Sequence, residues 1–144
     1  AVYGALTAQA VTAETPLRPL LSYGAHKLMV EFFLSDMSRR GDLSAISLRF
    51  PGIVARPATQ SGHGSAFMSQ VFHKVAAGEA YSCPVPATAS CWWMSRAAAV
   101  SALLHAAAPG SASPTIVQPP VLHGTVGEVV AADDRKAGLD RLGQ

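Results

Sequence analysis

The sequence has few charged residues and no long hydrophobic run. Charged residues make up 14% of the 144 residues, well below the roughly 25% typical of soluble domains, so much of the surface is expected to be buried. A net charge of +2 without a basic run argues against a nucleic-acid partner. The longest apolar stretch, 97–108, contains Ser101 and His105. It is shorter than the roughly 18 residues that span a bilayer, so we expect a soluble helix and no membrane partner.

Cysteines are scarce as well. Cys83 and Cys91 have no second ligand pair at zinc spacing and are too few for a disulfide framework. We therefore expect no metal site, and a cytoplasmic location is the default. The first residues lack an initiator Met and the charged-then-apolar order of a signal peptide, so we interpret the sequence as the later part of a longer chain.

Hydrophobic spacing predicts alternating helices and strands. A helix is predicted from Ser22, a candidate N-cap, to Arg40, because Met29 and Phe33 recur at a four-residue step and Gly41 provides a stop. The other predicted elements are a buried strand at 43–50, a helix at 65–77, an irregular or edge segment at 81–90, a helix at 95–108, a short strand at 115–117 and a helix opened by a capping box at 125–128. A helix followed by a strand indicates a parallel α/β unit.

Tyr23 and Lys27 lie four residues apart in the first predicted helix, on neighbouring turns of one face. A lysine charge near a tyrosine favours the phenolate. Such a tyrosine can act as the general acid or base that accompanies hydride transfer at a hydroxyl-bearing carbon. The alternative is an ordinary aromatic at a helix start, with Lys27 paired to Glu31, and the spacing alone leaves both interpretations open.

Four motifs follow in order across roughly the first 57 residues. They are Val2-Tyr3-Gly4, the 14–19 segment Glu-Thr-Pro-Leu-Arg-Pro, the 22–27 segment Ser-Tyr-Gly-Ala-His-Lys with Glu31, and the 48–54 segment Leu-Arg-Phe-Pro-Gly-Ile-Val. Together they resemble the extended short-chain dehydrogenase/reductase family, the NAD-dependent epimerase/dehydratase group. The resemblance implies an α/β fold with a Rossmann-like, doubly wound parallel sheet, represented here by its C-terminal part, and a smaller mixed α/β substrate-binding domain.

The resemblance also implies roles for individual residues. Tyr23 would be the catalytic acid/base, Lys27 would hold the nicotinamide ribose, and the backbone of Pro51, Gly52 and Ile53 would line the nicotinamide. NAD is the implied cofactor. NADP is not distinguished, because the discriminating residue follows the second strand of the family's N-terminal half. The family's catalytic Ser or Thr would stand two positions before Ala1.

The resemblance divides the chain into two domains. Residues 1–57 are expected to form the C-terminal portion of the NAD-binding domain, which carries the Tyr-x-x-x-Lys helix. Residues 58–144 are expected to form mainly the substrate-binding domain, with 113–132 a candidate to return to the NAD-binding domain.

The second half of the chain is similar to a narrower group, the D-erythronate dehydrogenases, through Arg56-Pro57, the Pro-Val-Pro segment at 84–86 and the Trp-Trp-Met-Ser segment at 92–95. This implies an NAD-dependent oxidation of a small sugar acid. Two side chains are candidate substrate ligands: Arg56, whose planar guanidinium can hold a carboxylate beyond a strand end, and His63 in a Ser-Gly-His-Gly-Ser loop. For both, the alternative is an exposed side chain without a ligand.

Two other functions stay open at this level. One is a nucleotide-sugar epimerase or dehydratase with tightly bound NAD, against which the scarcity of Arg and Lys after residue 50 weighs. The other is a non-catalytic dinucleotide-binding regulatory protein, against which the presence of Tyr23 and Lys27 weighs. The apolar helix at 22–40 predicts a homodimer, since family members often pair their subunits through it.

Overall fold

The structure is a computed structural model, and it describes residues 1–6, 10–56, 65–108 and 116–133. The chain divides into two units. Unit 1 comprises Ala1–Leu48 with Ala112–Val117, and unit 2 comprises Arg49–Ser111 with Gln118–Gln144. The predicted division into a cofactor-binding and a substrate-binding domain concerns function and stays a prediction. Among the helices within the described ranges, none has the length and apolarity needed to cross a membrane.

Unit 1 contains the long helix α1, Ser22–Arg40. It ends at Gly41, which has φ +81, and the backbone N–H groups of Gly41 and Asp42 donate to the carbonyls of Ser38 and Met37. This is a glycine-terminated helix end, as the sequence predicts. The candidate N-cap is wrong, because Leu21 has the extended backbone of an N-cap and Ser22 is already helical.

The strands of unit 1 are short. β1 (Ser47–Leu48) pairs in parallel with Ile116–Val117, the fourth strand along the chain. The predicted buried strand at 43–50 is therefore too long, and both β1 residues are only partly buried. The pairing of β1 can extend no further than its two-residue partner strand. Pro51 also lacks the N–H group that would donate a further hydrogen bond between strands.

Unit 2 has a three-stranded mixed sheet. β2 (Gly52–Val54) is followed by helix α2 (Phe67–Ala77) and by β3 (Ser90–Ser95), which lies parallel to β2 with Val54 opposite Ser95. Ile116–Val117, the partner of β1 in unit 1, is strand β4. The last strand is β5 (Leu122–Thr125), which pairs antiparallel with β3. The hydrophobic spacing predicts α2 and the irregular segment before Ser90, but it does not predict β2, β3 or β5.

The later helices begin at capping residues that the sequence shows. Helix α3 (Arg96–Ala107) begins where the Ser95 hydroxyl accepts the N–H of Ala98. The predicted capping box is also present, because the Glu128 carboxylate accepts the N–H and the hydroxyl of Thr125, and the Glu128 N–H donates back to the Thr125 oxygen. The chain is helical from there through 126–133.

The core of unit 2 lies between its sheet and α2. Trp93 is only 2% exposed, Phe72 meets it edge-on with ring centroids 6.0 Å apart, and the Trp93 indole N–H donates to the Gly124 carbonyl. The other buried members of this core are Val54, Phe67, Met68 and Val126. Met68 occupies the space where a Cβ of Gly52 would lie, so α2 packs directly on the backbone of β2.

Candidate functional site

Helix α1 brings Tyr23 and Lys27 together on one face. The Lys27 Nζ lies 5.5 Å from the centroid of the Tyr23 ring, within the range of a cation–π contact. Tyr23 is 59% exposed and Lys27 is exposed as well. The phenol and the ammonium are thus neighbours that a ligand can reach from solvent.

The start of α1 is held by close packing on its other side. Gly24 is buried, and a Cβ there would lie 2.7 Å from the Ala1 carbonyl oxygen and 3.0 Å from the Pro19 Cβ. The first turn of the helix therefore rests directly on two other segments of unit 1. This contact fixes the turn from which the Tyr23 side chain projects.

The predicted cofactor-lining segment lies in unit 2. Pro51 precedes β2, and Gly52 and Ile53 are its first two residues, opposite Trp93 and Met94 of β3. All three are partly buried. Their backbone is held by the strand pairing and by Met68, while their role towards a cofactor stays a prediction.

Arg56 lies two residues beyond the end of β2 and is exposed. Ala55, between the strand and Arg56, has φ +54. The Arg56 carbonyl oxygen is hydrogen-bonded to Nε2 of the His73 ring, at a distance of 2.6 Å. No acidic residue of the described ranges forms an ion pair with the Arg56 guanidinium. Arg56 is therefore available to an anionic ligand, whereas His63 lies outside the described residues.

An open cleft of about 580 Å³ lies at the carboxyl ends of β2 and β3. Most of its lining is apolar, and Arg96 is its charged member. The lining residues are Val54, Ala55, Ser95, Arg96, Ala97, Val100, Ser101 and Leu104. Ligands of parallel α/β sheets bind beyond the carboxyl ends of the strands, so this cleft is a place in unit 2 with room for a small molecule.

The cysteines are free and partly buried. Burial, with a smaller contribution from nearby Cys83, raises the pKa of the Cys91 thiol. Cys91 is therefore a protonated packing residue at neutral pH, and a nucleophilic role for it is disfavoured. Within the part of the chain that the structure describes, no three His, Cys, Asp or Glu side chains are grouped to hold a metal ion.

Sequence comparisons identify related proteins. The model of the NAD dependent epimerase/dehydratase family matches residues 1–118. A D-erythronate dehydrogenase of Cupriavidus necator is 39% identical over 73% of this chain and 32% of its own length. A D-erythronate dehydrogenase of Haemophilus influenzae is 30% identical over 74% of this chain and 34% of its own. The chain thus spans about a third of the length of these curated relatives.

Solved structures share the fold. A nucleoside-diphosphate-sugar epimerase from Agrobacterium tumefaciens matches with a TM-score of 0.75 and 33% identity, over 87% of this chain and 37% of that one. A Thermus thermophilus UDP-glucose 4-epimerase in complex with NAD matches with a TM-score of 0.73 and 21% identity, over 96% of this chain and 45% of that one. The predicted α/β, Rossmann-like fold is confirmed.

The family assignment does not depend on the short Tyr-x-x-x-Lys spacing alone. The family model extends from the Val-Tyr-Gly motif, through α1 and strands β2 and β3 of unit 2, to β4, the second strand of unit 1. The predicted enzyme class, an extended short-chain dehydrogenase/reductase, is confirmed at the level of the family. The chain belongs to the NAD dependent epimerase/dehydratase family.

Proposed function

We propose that this chain supplies the catalytic tyrosine and lysine of an NAD-dependent oxidoreductase that acts on a hydroxyl-bearing carbon of a small sugar acid resembling D-erythronate. The observation that carries the proposal is the pairing of Tyr23 and Lys27, both exposed, on one face of α1. The two D-erythronate dehydrogenases similar to this chain support the substrate class.

The exposed pair fits one end of NAD. A phenol and an ammonium together offer hydrogen-bond donors suited to the ribose hydroxyls, and both residues are exposed. Lys27 would hold the ribose, and the backbone of Pro51, Gly52 and Ile53 would line the nicotinamide. The 144 residues contain no G-x-G-x-x-G turn for the pyrophosphate. When bound, NAD supplies the hydride acceptor.

In this proposal Tyr23 removes the proton of the substrate hydroxyl as its carbon is oxidised. The Lys27 ammonium lies beside the Tyr23 ring, so one bound ligand can contact both side chains. Arg56 binds the substrate carboxylate, since its guanidinium can form two parallel hydrogen bonds with a carboxylate and has no described acidic partner. His63 remains a second candidate ligand.

The test is NAD⁺ reduction by the full polypeptide that carries this chain, with D-erythronate and a UDP-sugar assayed in parallel. We expect turnover of D-erythronate alone. Tyr23→Phe removes only the hydroxyl and should lower kcat by about 100- to 10,000-fold. The melting temperature should stay unchanged, because Tyr23 is mostly exposed. Turnover that survives Tyr23→Phe would exclude Tyr23 as the acid/base.

A second candidate function is the epimerisation of a nucleotide sugar, which the similarity to the Agrobacterium tumefaciens epimerase favours. In that case the UDP-sugar is isomerised without net NAD⁺ reduction, and isomer analysis of the same reaction mixture detects it. If the polypeptide converts neither compound, the non-catalytic, dinucleotide-binding alternative gains support.

We further propose that α1 pairs with a second copy of the protein. Four large apolar side chains of α1 are between 54% and 65% exposed, more than a soluble helix usually leaves uncovered. They are Met29, Val30, Phe32 and Phe33. We also propose that the protein is cytoplasmic.

A further inference from the structure

The His73 side chain makes a contact that the proposed reaction has not used. Its Nε2 lies 2.6 Å from the carbonyl oxygen of Arg56, 17 positions earlier in the chain. A carbonyl oxygen can only accept a hydrogen bond, so Nε2 carries the proton and donates it. His73 is partly buried, whereas Arg56 and the hydrogen bond itself are exposed.

The held carbonyl follows a backbone turn that few side chains tolerate. Ala55 has φ +54, and it is the one residue other than glycine with a positive φ in the described ranges. In this left-handed conformation the Cβ is crowded, so surrounding contacts must hold the backbone in place. The His73 bond acts on the next residue and is suited to hold the turn.

The other end of the bond is anchored in the core of unit 2. His73 lies on α2, where its neighbour Phe72 packs edge-on against the buried Trp93. Met68 of the same helix packs on the backbone of Gly52 in β2. The helix that carries His73 is thus fixed against the strand that leads to Arg56.

We propose that His73 is a positioning residue for substrate binding: by holding the Arg56 carbonyl after the turn at Ala55, it sets the direction in which the Arg56 side chain leaves β2. This inference rests on the proposed function, in which Arg56 binds the carboxylate of the sugar acid. His73 itself does not touch the substrate.

The test is a double-mutant cycle on the dissociation constant of D-erythronate, measured by calorimetry on the full polypeptide loaded with NADH, which cannot accept a hydride and so prevents turnover. His73→Phe keeps the ring and removes the donor, and it should weaken binding about 3- to 10-fold, the effect of one hydrogen bond. His73→Gln keeps an N–H group at a similar reach and should restore most of the affinity. In an Arg56→Ala background, His73→Phe should have no further effect, because the two residues act as one unit.

Controls separate positioning from folding. Lys74→Gln changes the next residue of α2, whose ammonium pairs with Glu79, and should leave the affinity unchanged. The kcat of His73→Phe should stay within about twofold of wild type, since a hydrogen bond that acts through substrate binding does not alter the chemical step. The ¹⁵N spectrum of the His73 ring should show the proton on Nε2.

Four results would overturn the inference. They are equal losses from His73→Phe with and without Arg56, no rescue by glutamine, a ring protonated on Nδ1 alone, and unchanged affinity in Arg56→Ala. A different result would overturn the proposed oxidoreductase function: the polypeptide would bind D-erythronate but would not oxidise it. If the wild-type polypeptide does not bind D-erythronate, both proposals are wrong.

Discussion

Gly4, the last residue of the Val-Tyr-Gly motif, shows how one residue fixes a backbone path. It has φ +68, and a Cβ built there would overlap the Arg18 carbonyl oxygen. A side chain at this position is therefore disfavoured for two reasons: the backbone conformation and the lack of space. Gly41 has a similar φ of +81 but no neighbouring atom within 4 Å, so a side chain there is disfavoured by conformation alone.

We expect Gly4→Ala to destabilise the protein more than Gly41→Ala. At Gly41 the left-handed backbone alone should cost about 1 kcal/mol. At Gly4 the overlap with a backbone carbonyl adds to this, for a total of about 2–4 kcal/mol. Urea unfolding of both variants measures the difference. Equal losses would show that the backbone near Arg18 moves aside freely.

Residue-level prediction succeeds where the signal lies in residue types at a fixed spacing. Tyr23 and Lys27 are four positions apart, and the helix brings them together. The contact of His73 is different, because its partner is a backbone carbonyl 17 positions away. No residue type marks such a carbonyl, so the sequence gives no sign of this bond.

Helices and strands also differ in whether local sequence signals predict them. The ends of α1 and α2 are readable because Gly41 and Gly78 adopt positive φ just after the last helical residue. Strand β3 is not readable in this way. Its identity depends on pairing with β2 on one side and β5 on the other, and both partners are distant in the chain. Short strands obtain their structure from partners rather than from local propensity.

Ser95 and Ser22 provide a matched pair at two helix starts. The Ser95 hydroxyl accepts the Ala98 N–H, whereas α1 has no side-chain cap and Ser22 is its first helical residue. Ser95→Ala should cost about 1 kcal/mol of unfolding free energy, and Ser22→Ala less than about 0.5 kcal/mol. Chemical denaturation distinguishes them. A larger loss from Ser22→Ala would mean that it caps α1 after all.

The capping box makes stability depend on pH. The backbone N–H and then the hydroxyl of Thr125 lower the pKa of the Glu128 carboxyl, with a smaller contribution from His123. A lowered folded-state pKa stabilises the protein above the unfolded-state value of about 4.3, and this stability is lost as pH falls through the folded-state pKa.

We therefore expect Glu128→Gln to be less stable than wild type at pH 7, and the difference to shrink steadily below about pH 4.3. Unfolding free energies measured from pH 7 down to pH 3 test this. Thr125→Ser keeps the hydroxyl donor and should retain the wild-type pH dependence. A difference between Glu128→Gln and wild type that is constant with pH would contradict this account.

For the whole molecule, the exposed apolar side chains of α1 are the proposed contact between two copies of the protein. Phe33 is 64% exposed. If α1 pairs with a second copy, Phe33→Glu should raise the dimer dissociation constant at least about 30-fold, because it places a charge in a desolvated contact. Light scattering of the full polypeptide over a range of concentrations measures this.

Leu103→Glu is the matched control, because Leu103 is a similarly exposed apolar residue (52%) on a different helix, α3. It should leave the molar mass unchanged. A wild-type polypeptide that is monomeric throughout, or a Phe33→Glu variant as dimeric as wild type, would mean that these side chains of α1 have another use.

The pairing of β1 with β4 has a consequence for how the molecule folds. Ser47 pairs with Ile116, and nearly all of the chain between these residues belongs to unit 2. Closing so long a loop for a ladder of two residues on each side is entropically unfavourable while the intervening chain is disordered. We therefore expect unit 2 to form first and to shorten the effective loop. The parallel pair of unit 1 would then be the last contact to form and the first to open.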